Sequence, residues 1–302
     1  MIPTRRLGNT GVEVTCLGLG GEGVLRTFGQ SKAARKVILA ALEEGITYLE
    51  SARAYDDSEA YYGQSLGPWR DRVFLASKAH DRTAQGAERM LQATLANLRT
   101  DRLDLWQVHD VRTAADLERI FGPGGAIEAF DRAKRAGKVR FVGVTGHHDP
   151  QILLKAFELY PFDTVLLPVN PAEPAWRSFA QSVLPEANRR GLGIIGMKVL
   201  CRGFGLQVPG GRDAADWIRY ALAQELSTVV IGCDDPAQVA ANAAAARQPP
   251  LTTDECQAME RLVAPYAREL MYYKPACTRR RKPRTLIFGG QGAGQGAGHG
   301  PM

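Results

Sequence analysis

Eight short runs rich in β-branched and aliphatic residues alternate along this chain with longer stretches of helical period. That alternation restricts the fold to β/α units around a parallel sheet. The runs are Val14 to Leu19, Thr47 to Ser51, Val73 to Ser77, Leu105 to Val108, Val139 to Thr145, Thr164 to Pro168, Gly193 to Val199 and Thr228 to Ile231. Helical spacing of apolar residues predicts helices over Lys32 to Glu44, Gln85 to Leu98, Ala126 to Ala136, Pro150 to Leu159, Arg177 to Arg190, Asp213 to Glu225 and Ala237 to Ala246. The first of these places Ala33, Val37, Ile38, Ala41 and Leu42 on one stripe. Eight strands are the count that closes a barrel. An open, doubly wound sheet would announce itself by GxGxxG opening a helix straight after the first strand. Gly18-Leu19-Gly20-Gly21-Glu22-Gly23 has the glycines, but helical period resumes only near Lys32. The expected fold is therefore α/β, a (β/α)8 TIM barrel, with Asp254 to Ala267 as one extra C-terminal helix.

Length and charge set the boundaries of this barrel. The 302 residues, 45% apolar and 23% charged, suit one large domain. Of the net charge of +6, five units come from Arg279, Arg280, Arg281, Lys282 and Arg284, all beyond Cys277 where no acidic residue occurs. The body is thus close to neutral. Residues 278–302 run on into a Gly-rich stretch too poor in apolar side chains to offset the entropy of ordering. The expectation is a single domain over 1–277 and a basic, Gly-rich disordered tail over 278–302. The tail is taken as solubilising, with no nucleic-acid partner. No apolar segment is long enough to span a bilayer and the first residues lack a secretory leader, so a cytoplasmic location is expected. Cys16, Cys201, Cys233, Cys256 and Cys277 are scattered without metal spacing and read as reduced thiols.

Four polar residues stand at or just past the ends of consecutive predicted strands: Glu50, Tyr55, Lys78 and His109. In a barrel those ends converge on one mouth. A tyrosine hydroxyl, ordinarily near pKa ~10, needs a nearby cation to stabilise its phenolate. Lys78 could supply it, Glu50 could keep the lysine charged, and His109 could orient a carbonyl oxygen or help relay a proton. Taken singly, each residue is more simply a packing, surface or capping group, and a lone histidine is commonly a satisfied hydrogen-bonding group. Four together at one mouth suit a proton donor to a developing alkoxide.

At these residues a family resemblance becomes specific. Gly45-Ile46-Thr47-Tyr48-Leu49-Glu50-Ser51-Ala52-Arg53-Ala54-Tyr55, followed by Ser58-Glu59 and Tyr62-Gly63, resembles the aldo-keto reductase segment carrying an acidic residue and, five positions on, the catalytic tyrosine. Leu75-Ala76-Ser77-Lys78 is similar to the lysine strand of that family, and Asp101-Arg102-Leu103-Asp104-Leu105-Trp106-Gln107-Val108-His109 to its histidine strand. Arg6-Leu7-Gly8-Asn9-Thr10-Gly11 resembles the N-terminal β-hairpin that plugs the barrel, and Gly137 to Thr145 the fifth strand. The resemblance covers roughly residues 4 to 267 in family order. It implies hydride transfer from a nicotinamide to a small-molecule aldehyde or ketone, with Tyr55 as acid, Lys78 as its tuner, Glu50 as partner of Lys78 and His109 as the carbonyl-orienting group. The cofactor does the redox step and the protein supplies placement and electrostatics.

The sequence departs from the family pattern at several points. Glu50 stands where Asp is usual, a change that the flexible stem of Lys78 could absorb. Thr145 stands where the family often has a Ser-Asn pair gripping the carboxamide, Leu166 in place of a Gln, and Met197 in place of the aromatic that stacks on nicotinamide. The resemblance carries cofactor contacts onto Thr145, Met197, Lys198, Leu200, Gly232, Cys233, Gln238 and Asn242. No Arg or Lys lies between Gly232 and Asn242, where Asp234 and Asp235 instead place negative charge. Those carboxylates are either helix caps or groups facing a ribose, where they would favour NAD. Family precedent and the neighbouring Lys198 and Arg202 make NADP the expected cofactor, with NAD as the alternative. His147-His148 have no third ligand at metal spacing, so no metal is expected. Loops over Glu22 to Ser31, Val111 to Gly124 and Asn170 to Trp176 are the candidate substrate-selecting segments. The competing function is a cofactor-binding regulatory or scaffold protein with weak or no turnover, motivated by Glu50, Leu166 and Met197 and by the basic tail.

Overall fold

A computed structural model describes residues 1–274; the tail assigned to 278–302 and the boundary at 277 lie outside the described residues. A two-stranded antiparallel hairpin, β1 (Thr4–Arg6) and β2 (Glu13–Thr15), precedes eight parallel strands. These are β3 (Leu17–Gly23), β4 (Tyr48–Glu50), β5 (Phe74–Ala79), β6 (Leu103–Val108), β7 (Val139–Thr145), β8 (Thr164–Pro168), β9 (Gly193–Met197) and β10 (Thr228–Cys233). They close in chain order, with β10 pairing both β9 and β3. The expected barrel is present. The run Val14 to Leu19 divides between two structures: Val14 belongs to the hairpin, and the barrel strand begins at Leu17.

Alternation along the strands separates two cores. Inward positions Tyr48, Phe74, Ala76, Leu105, Leu166, Ile195 and Val230 form an inner cluster, which Leu7 and Val14 of the hairpin close from below. Outward positions pack against the helices in a larger cluster. Helix α1 (Ser31–Glu43) buries Ala34, Val37, Ile38, Ala41 and Leu42, a stripe shifted by one residue at its start from the predicted set. Full burial of such aliphatic side chains contributes about 1.5–3 kcal/mol each. The glycines of β3 serve closure: Gly23 has φ +68°, and a Cβ there would lie 2.6 Å from the Cys233 carbonyl oxygen. Gly8 likewise has φ +53° and would strike the Gly193 nitrogen at 2.3 Å, so the hairpin plug sits directly on β9.

Helices α3 (Ala84–Leu98), α5 (Ala126–Arg135), α6 (Pro150–Leu159), α7 (Phe179–Arg189), α8 (Ala214–Leu222) and α9 (Pro236–Ala246) follow the predicted segments. Two further helices were not legible from period. In α2 (Ser58–Ser65) the buried face is Ser58, Glu59, Tyr61, Tyr62 and Ser65, mostly polar, so no apolar stripe marks it. Helix α4 (Ala114–Phe121) lies inside the stretch read as a loop, although Thr113 and Asp116 form a capping box at its start. The extra C-terminal helix is α10 (Thr253–Val263), followed by a 3-10 turn and the short α11 (Ala267–Leu270). The chain then turns back across the barrel mouth as Met271 to Lys274, where Tyr273 and Lys274 are buried. No helix among the described residues is long and apolar enough to cross a membrane.

Candidate active site

The barrel brings Glu50, Tyr55, Lys78 and His109 together at the C-terminal ends of its strands. Register pairs Glu50 with Ala76 and Lys78 with Gln107, so Lys78 stands one inward position above Glu50 on the adjacent strand. Its stem folds back, and Nζ lies 2.7 Å from Glu50 Oε1 while donating to the Ser51 carbonyl at 2.8 Å. The extra methylene of Glu50 is therefore accommodated. Gln107 Nε2 donates to the second carboxylate oxygen at 3.2 Å. Lys78 and Glu50 are almost wholly buried. Burial alone would depress the lysine, but the Glu50 carboxylate overcomes it and holds Lys78 above its ordinary pKa.

Tyr55 sits in the turn after β4 with the Lys78 ammonium 4.8 Å from its ring centroid. The Arg26 guanidinium lies 4.9 Å from the same centroid, and the His109 ring meets it edge-on at 5.9 Å. Enclosure of the phenol raises its pKa, and the charge on Lys78 opposes that rise. The Lys78 charge alone would lower the phenol, and burial decides the net sign. Burial, followed by the Lys78 charge, holds His109 far below the usual imidazole range. It is a neutral ring at pH 7, with Nδ1 lacking a hydrogen-bond partner.

The Tyr55 turn is fixed from beneath by Glu59 of α2. This buried carboxylate pairs with Arg53 and accepts from the Ser77 and Thr94 hydroxyls at 2.7 Å each. Because Arg53, Ser77 and Thr94 belong to the turn, β5 and α3, Glu59 ties three elements to one point.

A cavity of about 510 Å³ opens beside the tetrad, within the range of small-molecule and cofactor pockets. Glu50 and Tyr55 form one wall; Met197, Lys198, Leu200, Gly232, Gln238 and Asn242 form another. Of the eight expected cofactor contacts, Thr145 and Cys233 do not line this cavity. Thr145 is buried, its hydroxyl accepting from the Asp110 amide at 2.7 Å. The Cys233 thiol, pushed up to about 12 by burial, accepts from Asn242 at 3.4 Å. Asp235 caps α9 by accepting from the Gln238 amide at 3.0 Å, so its carboxylate is engaged with the helix, whereas Asp234 remains on the cavity wall. Arg202 lines the same cavity as Lys198. These two cations fit the anionic end of a dinucleotide, and the apolar Met197 and Leu200 fit its rings.

Several contributors escaped the sequence. Gln107 occupies an inward position of β6, where a polar residue amid Leu103 and Leu105 was a usable signal. Tyr272 lines the cavity, with Lys198 Nζ 5.6 Å and the Arg202 guanidinium 5.3 Å from its ring centroid. Tyr273 donates to Glu173 at 2.6 Å and receives Asn170 Nδ2 at 3.1 Å, while Lys274 pairs with the same glutamate at 2.9 Å. That lock on the β8 loop follows the last predicted helix and has no periodic signature. On the far side of the mouth, Asp110 meets His147 and His148, supplying a third donor to the pair that lacked one along the chain. Burial pushes His147 down to about 3 although Asp110 opposes it, and burial also lowers His148.

Comparison with known proteins agrees with this architecture. Residues 16–207 match the profile of the Aldo/keto reductase family. The chain is 30% identical over 216 residues to aldo-keto reductase YhdN of Bacillus subtilis, covering 65% of this chain and 62% of that protein. It is also 30% identical over 166 residues to 6-dehydroglucose reductase of Novosphingobium aromaticivorans, covering 49% and 53%. The matched segments thus span less than two thirds of each curated relative. Among solved structures, aldo-keto reductase AKR11C1 of Bacillus halodurans in its holo form superposes with TM-score 0.75 at 22% identity, covering 87% of this chain and 96% of that one. The NADPH complex of an aldo-keto reductase from Klebsiella pneumoniae gives 0.73 at 20% identity, with the same coverages. At such identities the superpositions speak for the fold. The chain belongs to the aldo/keto reductase family.

Proposed function

We propose that this chain reduces a small-molecule aldehyde or ketone with NADPH, Tyr55 giving the proton. The observation that carries the proposal is the buried Glu50–Lys78 pair set against the ring of Tyr55 in the cavity wall. Bound there, the nicotinamide would supply the hydride. Tyr55 holds the proton at its hydroxyl; Lys78, kept charged by Glu50, stabilises the phenolate left when that proton moves to the carbonyl oxygen. The neutral imidazole of His109 offers an N–H to orient that oxygen. Lys198 and Arg202, adjacent on the cavity lining, suit the extra phosphate of NADPH, against the Asp234 carboxylate on the same wall, while Asp235 is committed to capping α9.

The test is turnover of NADPH and NADH against a panel of aldehydes and ketones, alongside direct cofactor titration. Tyr55→Phe should lower turnover by at least about 10²-fold with cofactor affinity retained. Unchanged turnover in that variant overturns the role of Tyr55. Arg202→Ala should weaken NADPH by about tenfold or more and leave NADH nearly unaffected. Cofactor binding by the native chain without turnover across the panel would favour the regulatory or scaffold alternative.

A further inference from the structure

Asp110, His147 and His148 form a cluster that carbonyl reduction does not use. The three come from two loops, after β6 and after β7. A nitrogen from each histidine and a carboxylate oxygen lie within 4.8 Å of one another. Asp110 Oδ1 and His147 Nε2 are 3.4 Å apart. That separation matches the edge, about 3.3 Å, of a tetrahedron with metal–ligand bonds of ~2.0–2.1 Å. The gap is not closed by hydrogen bonding: Asp110 Oδ1 and His148 Nδ1 are both buried without a partner. Unpaired buried polar atoms are rare and call for an explanation such as an ion.

The surroundings also orient the donors. Asp110 is held in the left-handed region at φ 55°, its amide bonded to the Thr145 hydroxyl and its carbonyl accepting from Arg82 at 2.7 Å. Arg112 takes Asp110 Oδ2 at 2.6 Å, leaving Oδ1 turned to the histidines. The Thr145 and Arg82 contacts to the Asp110 backbone are of the kind that fix a metal ligand in place.

We propose that Asp110, His147 and His148 bind a divalent transition ion of the zinc class at the barrel mouth. Two imidazoles and one carboxylate suit Zn²⁺ and its surrogate Co²⁺. Three protein donors leave a fourth position for water or another ligand. Arg112 weakens the site by competing for the carboxylate.

The test uses the full chain, freed of metal by chelator dialysis and titrated with Zn²⁺ by calorimetry and with Co²⁺ by visible absorption. One equivalent should bind, and the cobalt spectrum should show ligand-field bands without thiolate charge transfer. Asp110→Asn, His147→Asn and His148→Asn should each weaken binding by at least about tenfold, with circular dichroism confirming an intact fold. His80→Asn, on the exposed end of β5's loop, should leave it unchanged, and Arg112→Ala should tighten it about twofold to fivefold. No binding by the native chain, native affinity in all three folded variants, or a thiolate band would overturn the site. Should the variants fail to fold, the cobalt spectrum of the native chain still decides between these donors and cysteine.

Discussion

At the N-terminal ends of the barrel strands, Leu7 and Val14 close the interior with apolar side chains; at the C-terminal ends, Glu50, Lys78 and Gln107 occupy inward positions of the same strands. The backbone differs in the same sense. Turns entering the strands after α1, α5 and α7 give their positive φ to Gly45, Gly137 and Gly191, and only the turn after α3 uses a side chain, Arg99. Loops leaving the strands place Asp56, Asp110, Arg177, Lys198, Cys201 and Arg202 in that region. A left-handed L-residue costs roughly 1–2 kcal/mol. Left-handed side chains and the buried Glu50–Lys78 pair thus stand at the end of the barrel where the cavity opens, while the other end combines apolar closure with the Asp104 carboxylate, paired with Arg70 and Arg140.

The largest expected effect separates chemistry from stability within the upper end. Lys78→Met should lower turnover on the order of 10²–10⁴-fold. It should also destabilise the fold by about 3–5 kcal/mol, because Glu50 would stay buried with Gln107 as its remaining partner. Adding Glu50→Gln should restore most of that stability in urea unfolding but none of the turnover. Recovery of turnover in the double variant would break the division between the two ends.

Leu7→Ala should cost about 2–5 kcal/mol through the cavity it leaves, with turnover per folded molecule unchanged. A loss of turnover there would mean that the plug tunes the mouth. Smaller and opposite in sign, Gly45→Ala should destabilise by about 1–2 kcal/mol, and Arg202→Gly should stabilise by about 1 kcal/mol. Gly45 is a clean case, because a Cβ there would meet nothing within 4 Å and the cost is conformational alone. Thermal melts of the two variants check the signs.

The subtlest effect is a titration. With burial raising the phenol and Lys78 opposing it, Tyr55 in the cofactor-free protein should ionise above about pH 10, and further up in Lys78→Met. The ultraviolet difference between the native chain and Tyr55→Phe measures it. The protonated donor is then present throughout the neutral range and is lost as pH rises through the folded pKa. A phenolate appearing well below pH 10 would mean that the lysine outweighs burial.

Much of this was legible along the chain, for reasons particular residues make plain. Leu105, Val108, Val142 and Val144 declare buried strands by composition, and Val37, Ile38, Ala41 and Leu42 declare a helix face by spacing. Glu50, Tyr55, Lys78 and His109 were legible because each follows such a run. By contrast, α2 buries a polar face around Glu59, and a helix without an apolar stripe gives no periodic signal. Gln107 shares its inward face of β6 with Leu103 and Leu105, and the partner that gives it a role, Glu50, lies two strands away. Tyr272, Tyr273 and Lys274 act through Arg202, Asn170 and Glu173, partners far away in sequence.

Local pattern therefore determined the eight β/α units, their order, the family likeness and the four residues at the strand ends, because alternation and helical spacing are properties of neighbouring residues. Tertiary structure alone decided what those residues touch. It set the 2.7 Å contact of Glu50 with Lys78, placed Arg202 and Tyr272 on one cavity, and brought Asp110 to two histidines from another loop. Such distances depend on barrel register and on loops crossing the mouth, which join residues that no short stretch of sequence holds together.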